Sequence, residues 1–294
     1  MNTFPILGVV SPDPNDALSL WRAMGPFTHP SFKHYVKVRA FYPGAFGWAD
    51  AASCDAVFFH RPFLKCHLEA MTTCVSMNIP TWCDWDDDLF QVPEGNPAHG
   101  TYAIKEVRNR IALMAQLANY CTFSTYRLRE EFVRRADLGW FKTGVIKNAV
   151  DERMFPYQPL EMNEDGPLLW RGTVSHARDL DRFRSLIESL QKDFPIHYVG
   201  YKPWWAEGIH HPSRDPKSYF NLLQDIAPKC IFVPLDDCPF NRSKSDIALL
   251  EATAVGAVCV TNMPWAGALS ASDALNFESL VRGVMSSKKH DVFY

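Results

Sequence analysis

The sequence predicts an α/β protein built on two parallel sheets, and three observations carry that reading. In the first half, short apolar runs alternate with helix-periodic stretches, the pattern of strands covered by helices on both faces. Around residues 149–166 the alternation gives way to prolines and polar residues, a linker composition. Beyond it the alternation restarts and leads to a strand, polar loop, helix and strand. That crossover places ligands at the carboxyl ends of parallel strands. The chain has 294 residues, enough for two domains of roughly 150 residues each.

Taken in order, the expected strands of the first half are Phe4–Val10, Tyr35–Phe41, Asp55–His60, Ile79–Asp84, Tyr120–Ser124 and Gly144–Lys147. Each is a short run of β-branched or aromatic residues bounded by turn formers. Helices fit Asn15–Met24, Phe63–Met77, Pro97–Leu117 and Thr125–Ala136. The domain expectation is residues 1–148, a linker over 149–166 with Pro156, Pro159 and an acidic run, and a second domain over 167–294. Strands there are Pro167–Gly172, Pro195–Val199, Cys230–Leu235 and Ala257–Thr261; helices are Asp179–Gln191 and a tail over Phe277–Met285. Residues 201–216 read as an aromatic loop. In the last crossover Ile247, Leu250, Ala254 and Val255 recur at helical spacing and Gly256 stops the helix.

Composition excludes several classes. A net charge of −3 makes the whole chain no polyelectrolyte binder. No apolar run approaches the ~18 residues of a membrane span, and the start of the chain lacks a signal-peptide core. The eight cysteines include no C-x-x-C pair, so zinc and a disulfide framework are not expected, and a reducing cytoplasm fits. Walker and dinucleotide glycine motifs and the G-x-S-x-G elbow are absent.

Five groups of residues are candidates to carry chemistry. Lys244 and Asn241 precede a helix whose N-terminus favours anions, and Glu251 lies within that helix among apolar residues. A cation and a helix end suit a diphosphate, and a carboxylate suits a ribose diol. Asn241 or Ser243 as a plain cap, and Glu251 as a buried structural acid with its own partner, are the alternatives. Arg171 and Arg178 flank the turn at Gly172 and offer fixed positive charge for phosphates, or a solvated helix face. Asp84, Asp86, Asp87 and Asp88 follow a strand end. They suit a D-x-D site for Mn²⁺ or Mg²⁺, a wall that binds acceptor hydroxyls or supplies acid–base chemistry, or a capping cluster. His60 ends a parallel strand, where it either orients a ligand group or serves as a core histidine. Residues 105–147 hold nine Lys or Arg against four acids, a polyanion surface or a solvated helix face.

Glu251-Ala252…Gly256 resembles the end of the donor-site signature of glycosyltransferase family 4, in which two Glu residues are separated by seven residues. Ser243 occupies the first position here; a Phe-Asn…Lys-Ser segment, as in Phe240-Asn241…Lys244-Ser245, occurs in some members. Asn148-Ala149-Val150-Asp151 resembles that family's Asn-Gly-Val-Asp hinge, and Arg171-Gly172…Arg178 its Gly-Arg turn with a downstream Lys. The resemblance spans mainly residues 144–262. It implies the GT-B fold, two Rossmann-like domains facing across a cleft, with the tail helix returning to the first. It implies a glycosyltransferase that moves sugar from a nucleotide-diphosphate sugar to an acceptor hydroxyl with retained configuration and no obligatory metal or cofactor. The donor residues it implies are Arg171, Gly172, His176, Arg178, Asn241, Lys244, Ser245 and Glu251. Acceptor-side catalytic residues are His60, Asp84, Asp86 and Asp87. The short length resembles bacteriophage members, whose acceptors include DNA with hydroxymethyl pyrimidines; a glycan or small molecule is the other expectation. Two alternatives stand beside it: a GT-A-like metal-dependent transferase on Asp84 and Asp86, and a non-catalytic nucleotide-sugar or nucleic-acid binder.

Overall fold

Every strand expected from the apolar runs forms, and each pairs in parallel with its neighbours. A computed structural model describes residues 4–13, 15–154 and 163–288. Pro156, Pro159 and the rest of 155–162 lie outside the described residues. The chain divides into two compact units: residues 1–92, 98–148 and 243–245, and residues 93–97, 149–242 and 246–294.

The first unit holds β1 (Ile6–Val10), β2 (Lys37–Phe41), β3 (Ala56–His60), β4 (Thr81–Trp85), β5 (Tyr120–Phe123) and β6 (Thr143–Val145) in the order β2-β1-β3-β4-β5-β6. The order reverses between β1 and β3, so ligands are favoured at the carboxyl ends of those two strands. Trp85, Phe123 and Phe132 are fully buried on one face, with ring centroids 4.6–6.1 Å apart. Helix Tyr126–Ala136 starts where Thr125 caps Leu128 N at 3.0 Å.

The second unit holds β7 (Leu168–Gly172), β8 (Ile196–Gly200), β9 (Ile209–Pro212), β10 (Cys230–Val233), β11 (Val258–Thr261) and β12 (Leu269–Ser270). Their order, β12-β11-β10-β7-β8-β9, is the doubly wound nucleotide-binding arrangement, with its reversal between β7 and β10. Leu168, Trp170, Tyr198, Phe232 and Val260 form the core. Phe277, Val281 and Val284, on the tail helix Ala274–Ser286, pack into that same core.

Several expectations needed correction. The helix read over Asp179–Gln191 is two helices, Ala177–Arg182 and Arg184–Gln191, separated at Phe183. The stretch Pro97–Leu117 likewise splits into His99–Tyr102 and Lys105–Leu117. The aromatic loop contains β9, an edge strand that ends in Pro212, where a missing N–H is tolerated. Helix Pro216–Ile226, capped by Asp215 on Ser218 N, was not anticipated. Part of the polar loop is a short helix, Pro239–Arg242.

His67 gives the first unit a pH dependence. Its ring is fully buried, and Nδ1 accepts from Phe63 N at 3.3 Å and Leu64 N at 3.1 Å. Two backbone donors fix Nδ1 as the acceptor, so the proton sits on Nε2. Burial first, then His60, lowers its pKa to about 3. The folded pKa lies below the unfolded value, so this stabilisation is complete above pH ~6.5 and is lost as pH falls towards ~3. Within that window stability should fall by up to about 1.4 kcal/mol per pH unit from this residue. Urea titrations at pH 4, 5, 6 and 7 should show the slope, and His67→Gln should flatten it. An unchanged slope would remove His67 as its source.

Candidate functional site

In the second unit the candidate site grows from the carboxyl ends of β7 and β10. β7 delivers Trp170 to the core and Arg171 to the strand end, and Gly172 then turns the chain. A Cβ on Gly172 would come within 2.9 Å of the Trp170 ring and 3.3 Å of His176, so only glycine fits. Thr173 caps Ser175, and a single 3₁₀ turn brings His176 into place. His176 Nδ1 donates to Asp179 Oδ2 at 2.7 Å. The other carboxylate oxygen accepts from Asp236 N and from Asn241 Nδ2, each at 2.8 Å. Buried Asp179 therefore ties the β7 turn, the loop after β10 and the short helix at Asn241 to one point. With Nδ1 donating, a neutral His176 keeps Nε2 as its acceptor nitrogen.

Arg171, at the end of β7, belongs to a buried ionic group. Arg171 Nε stands 2.6 Å from Glu251 Oε2, and Tyr219 OH donates to the same oxygen at 2.9 Å. Burial raises the Glu251 pKa, with Arg171 and Tyr219 opposing it. Burial also works against the charge on Arg171, and Glu251 more than offsets this. Arg178 is held by Asp236 Oδ2 at 2.9 Å and by the Glu94 carbonyl at 3.0 Å.

In the first unit the reversal between β1 and β3 is occupied by Ser11 and His60. Ser11 Oγ and His60 Nδ1 are 3.1 Å apart, while His60 Nε2 is buried with no hydrogen-bond partner among the described residues. Burial lowers the pKa of His60, against the pull of Asp86 and Asp84. Arg61 follows in a left-handed conformation, φ +48°, which is sparsely populated for a side chain of this size. It pairs with Asp86 at 2.6 Å and with Asp87. Lys244 Nζ lies 3.6 Å from Asp87, and Ser245 Oγ accepts from Asn148 Nδ2 at 2.8 Å.

The aspartate cluster is differently employed from any metal cage. Asp84 is buried against Arg22, at 2.9 and 2.5 Å, and accepts from Thr122 Oγ1 at 2.6 Å. Asp88 accepts from Phe90 N and Gln91 Nε2. Asp84 and Asp86 each face a guanidinium, so a D-x-D cation site does not fit them: a metal would compete with charges already in place.

No family model matches the chain, and no curated protein matches it. Among solved structures, sucrose-phosphate synthase from Thermosynechococcus elongatus is similar over 96% of this chain and 90% of that chain, at 10% identity and a TM-score of 0.62. Anabaena HepE in complex with UDP and glucose gives 12% identity over 96% and 90%, with a TM-score of 0.60. The lipopolysaccharide outer core galactosyltransferase WaaB gives 11% over 96% and 90%, with a TM-score of 0.52. The chain has the GT-B fold.

Within this GT-B chain the structure brings Arg171 to Glu251, and it gathers His176, Arg178 and Asn241 around Asp179 and Asp236. The Asn241 amide nitrogen is spent on Asp179 and on the Asp236 carbonyl, at 2.8 and 2.9 Å, so it holds the loop. Lys244 and Ser245 group with the first unit. Sequence reasoning missed Asp179, Asp236 and Tyr219. Asp179 had a signal: it follows His176 by three residues, one helical turn. Tyr219 had none, since it lies 32 residues from Glu251.

Proposed function

We propose that this protein is a glycosyltransferase that moves a sugar from a nucleotide-diphosphate sugar to an acceptor hydroxyl. The observation that carries the reading is what β7 and the turn after it present at the β7/β10 reversal of a GT-B chain: a histidine fixed by a buried carboxylate, and an arginine in a buried Arg–Glu–Tyr group. Such reversals bind nucleotides at strand carboxyl ends. Related folds include HepE, solved with UDP and glucose, and a galactosyltransferase. The proposed donor contacts in the second unit are Arg171, Gly172, His176, Arg178 and Glu251, with Asn241 holding the loop; Lys244 and Ser245 belong to the first unit. Charge growing on the leaving diphosphate would be met by fixed cations. On the acceptor side we propose His60, whose Nε2 has no partner among the described residues, with Asp86 and Asp87 held by Arg61. Asp84 is the least suited of the acceptor-side residues, because Arg22 and Thr122 already engage it.

We further propose retained configuration, no obligatory metal, and a glycan or small molecule as acceptor. Hydroxymethylated DNA is the weaker acceptor reading. Part of the basic excess at 105–147 is engaged by neighbouring groups: Glu131 pairs with the exposed Arg127 and Arg134 and with Arg135 within 3.6 Å, and Arg129 lies over the Trp140 ring at 3.9 Å. A cytoplasmic location is proposed from the eight unpaired cysteines. No helix among the described residues is long and apolar enough to cross a membrane.

The test is donor hydrolysis and transfer against UDP, GDP and ADP sugars, with and without EDTA. Release of a nucleoside diphosphate that survives EDTA is expected. Absence of both turnover and calorimetric binding to every nucleotide would leave a GT-B scaffold without this activity. Salt-sensitive binding to duplex DNA, together with label transfer to hydroxymethylated DNA, would restore the DNA acceptor.

A further inference from the structure

We propose that a pocket in the second unit, between β8, β9 and helix Pro216–Ile226, is a divalent transition-metal site with His197 Nδ1 and His211 Nε2 as its nitrogen ligands. The two rings stand on adjacent parallel strands. His197 is opposite Ile209 and Val199 is opposite His211, so both histidines project from one sheet face, two residues apart in register. Their facing nitrogens are 3.1 Å apart. Two nitrogens bound at about 2.0–2.1 Å to one zinc ion lie roughly 3.1–3.4 Å apart at angles near tetrahedral. The separation already present is thus that of two ligands on one ion.

The surroundings suit a cation. Asp165 and Asp225 line the same pocket of about 460 Å³, with Leu222 and Ile226 from the helix. Among the described residues the two histidines form no three-ligand group with either carboxylate, so water would complete the coordination. Imidazole with carboxylate or water favours Zn²⁺, Ni²⁺ or Cu²⁺ over Mg²⁺ or Ca²⁺. In the ion-free protein the two nitrogens share one hydrogen, one ring donating and the other accepting. On binding, the donor ring carries its proton on its other nitrogen instead. His197 is then protonated at Nε2 and His211 at Nδ1, and no proton is lost if both rings were neutral. Burial lowers the pKa of both rings and favours that neutral state. Arg214 and His210 bear on His211 electrostatically and limit the affinity. An ion here would tie the edge strand β9 to β8 and stiffen that side of the sheet. The site is separate from the residues proposed for sugar transfer.

Calorimetry on tag-free protein, stripped with chelator and titrated with ZnCl2 and NiCl2, tests this. One equivalent per chain is expected, with a rise in melting temperature. His211→Gln or His197→Gln should weaken binding by about tenfold or more, and the double variant should abolish the stoichiometric phase. Cobalt absorption in the visible would report nitrogen and oxygen ligation. Should His197→Gln fail to fold, His211→Gln on the sheet edge carries the test. Undiminished binding in the double variant, or in His211→Gln where the double variant does not fold, would assign the ion to other histidines and overturn the proposal. Absence of binding up to about 1 mM would overturn it too, being weaker than any built two-histidine site.

Discussion

Glu251→Ala is expected to lose about 2–4 kcal/mol of stability and, in the same molecule, roughly ten- to hundredfold in nucleotide affinity. The stability loss follows from Arg171. Removing the carboxylate leaves a guanidinium with side-chain exposure of only 20% and takes the acceptor from Tyr219 OH. An uncompensated buried charge costs several kcal/mol; the partial exposure of Arg171 sets the lower end. The affinity loss follows only if Glu251 also meets the ribose. Glu251→Gln separates the two effects. It retains an acceptor for Tyr219 but gives up the charge, so it should recover part of the stability while leaving nucleotide binding weak. Urea melts and calorimetry with UDP, GDP and ADP read both quantities. Full affinity in a folded Glu251→Gln variant would confine Glu251 to holding Arg171. Wild-type stability in Glu251→Ala would show that the pair holds nothing.

The strands of this protein were legible because parallel strands buried on both faces read as continuous apolar runs. β3, β5 and β10 are such runs, and each formed within a residue or two of its expected ends. β9 was not legible. Its residues Ile209-His210-His211-Pro212 carry one aliphatic side chain, and only pairing to β8 makes them a strand. Phe183 was hidden for the opposite reason: the apolar period runs through it, while the backbone breaks the helix there.

The site was legible as residue types and opaque as partnerships. A carboxylate inside the apolar helix Ile247–Ala254 demanded a partner, but sequence spacing could not say whether that was a ribose or a cation 80 residues upstream. Arg171 proves to be one such partner. Asp179 appeared in the sequence only as the start of a helix, yet it is 5% exposed and holds three separate pieces of chain. In each case the missing information is which distant group the fold delivers, and periodicity does not contain it.

Asp84→Ala is expected to be the more damaging change, at about 3–5 kcal/mol. Asp84 and Arg22 are 1% and 6% exposed. The substitution removes two contacts of Arg22 and leaves the cation with the Ile146 carbonyl at 2.5 Å and Asn148 Oδ1 at 3.1 Å. Thr122 loses its acceptor as well. Oxygen dipoles solvate a guanidinium less well than a carboxylate does, so the buried charge stays undercompensated. Replacing both partners, Arg22→Met with Asp84→Asn, should cost less than the sum of the two single changes, because neither variant group is then a buried lone charge. Denaturant titration of the four proteins gives that coupling directly. The same series decides between a structural and a chemical carboxylate. If Asp84 only anchors Arg22, Asp84→Asn lowers stability, and the molecules that remain folded turn over donor at a rate close to that of the parent. A fully stable Asp84→Asn protein with turnover lost by on the order of 10²-fold, the scale of general acid–base catalysis, would return Asp84 to the reacting centre. The buried geometry argues for the first outcome: both of its oxygens are already engaged by Arg22 and Thr122.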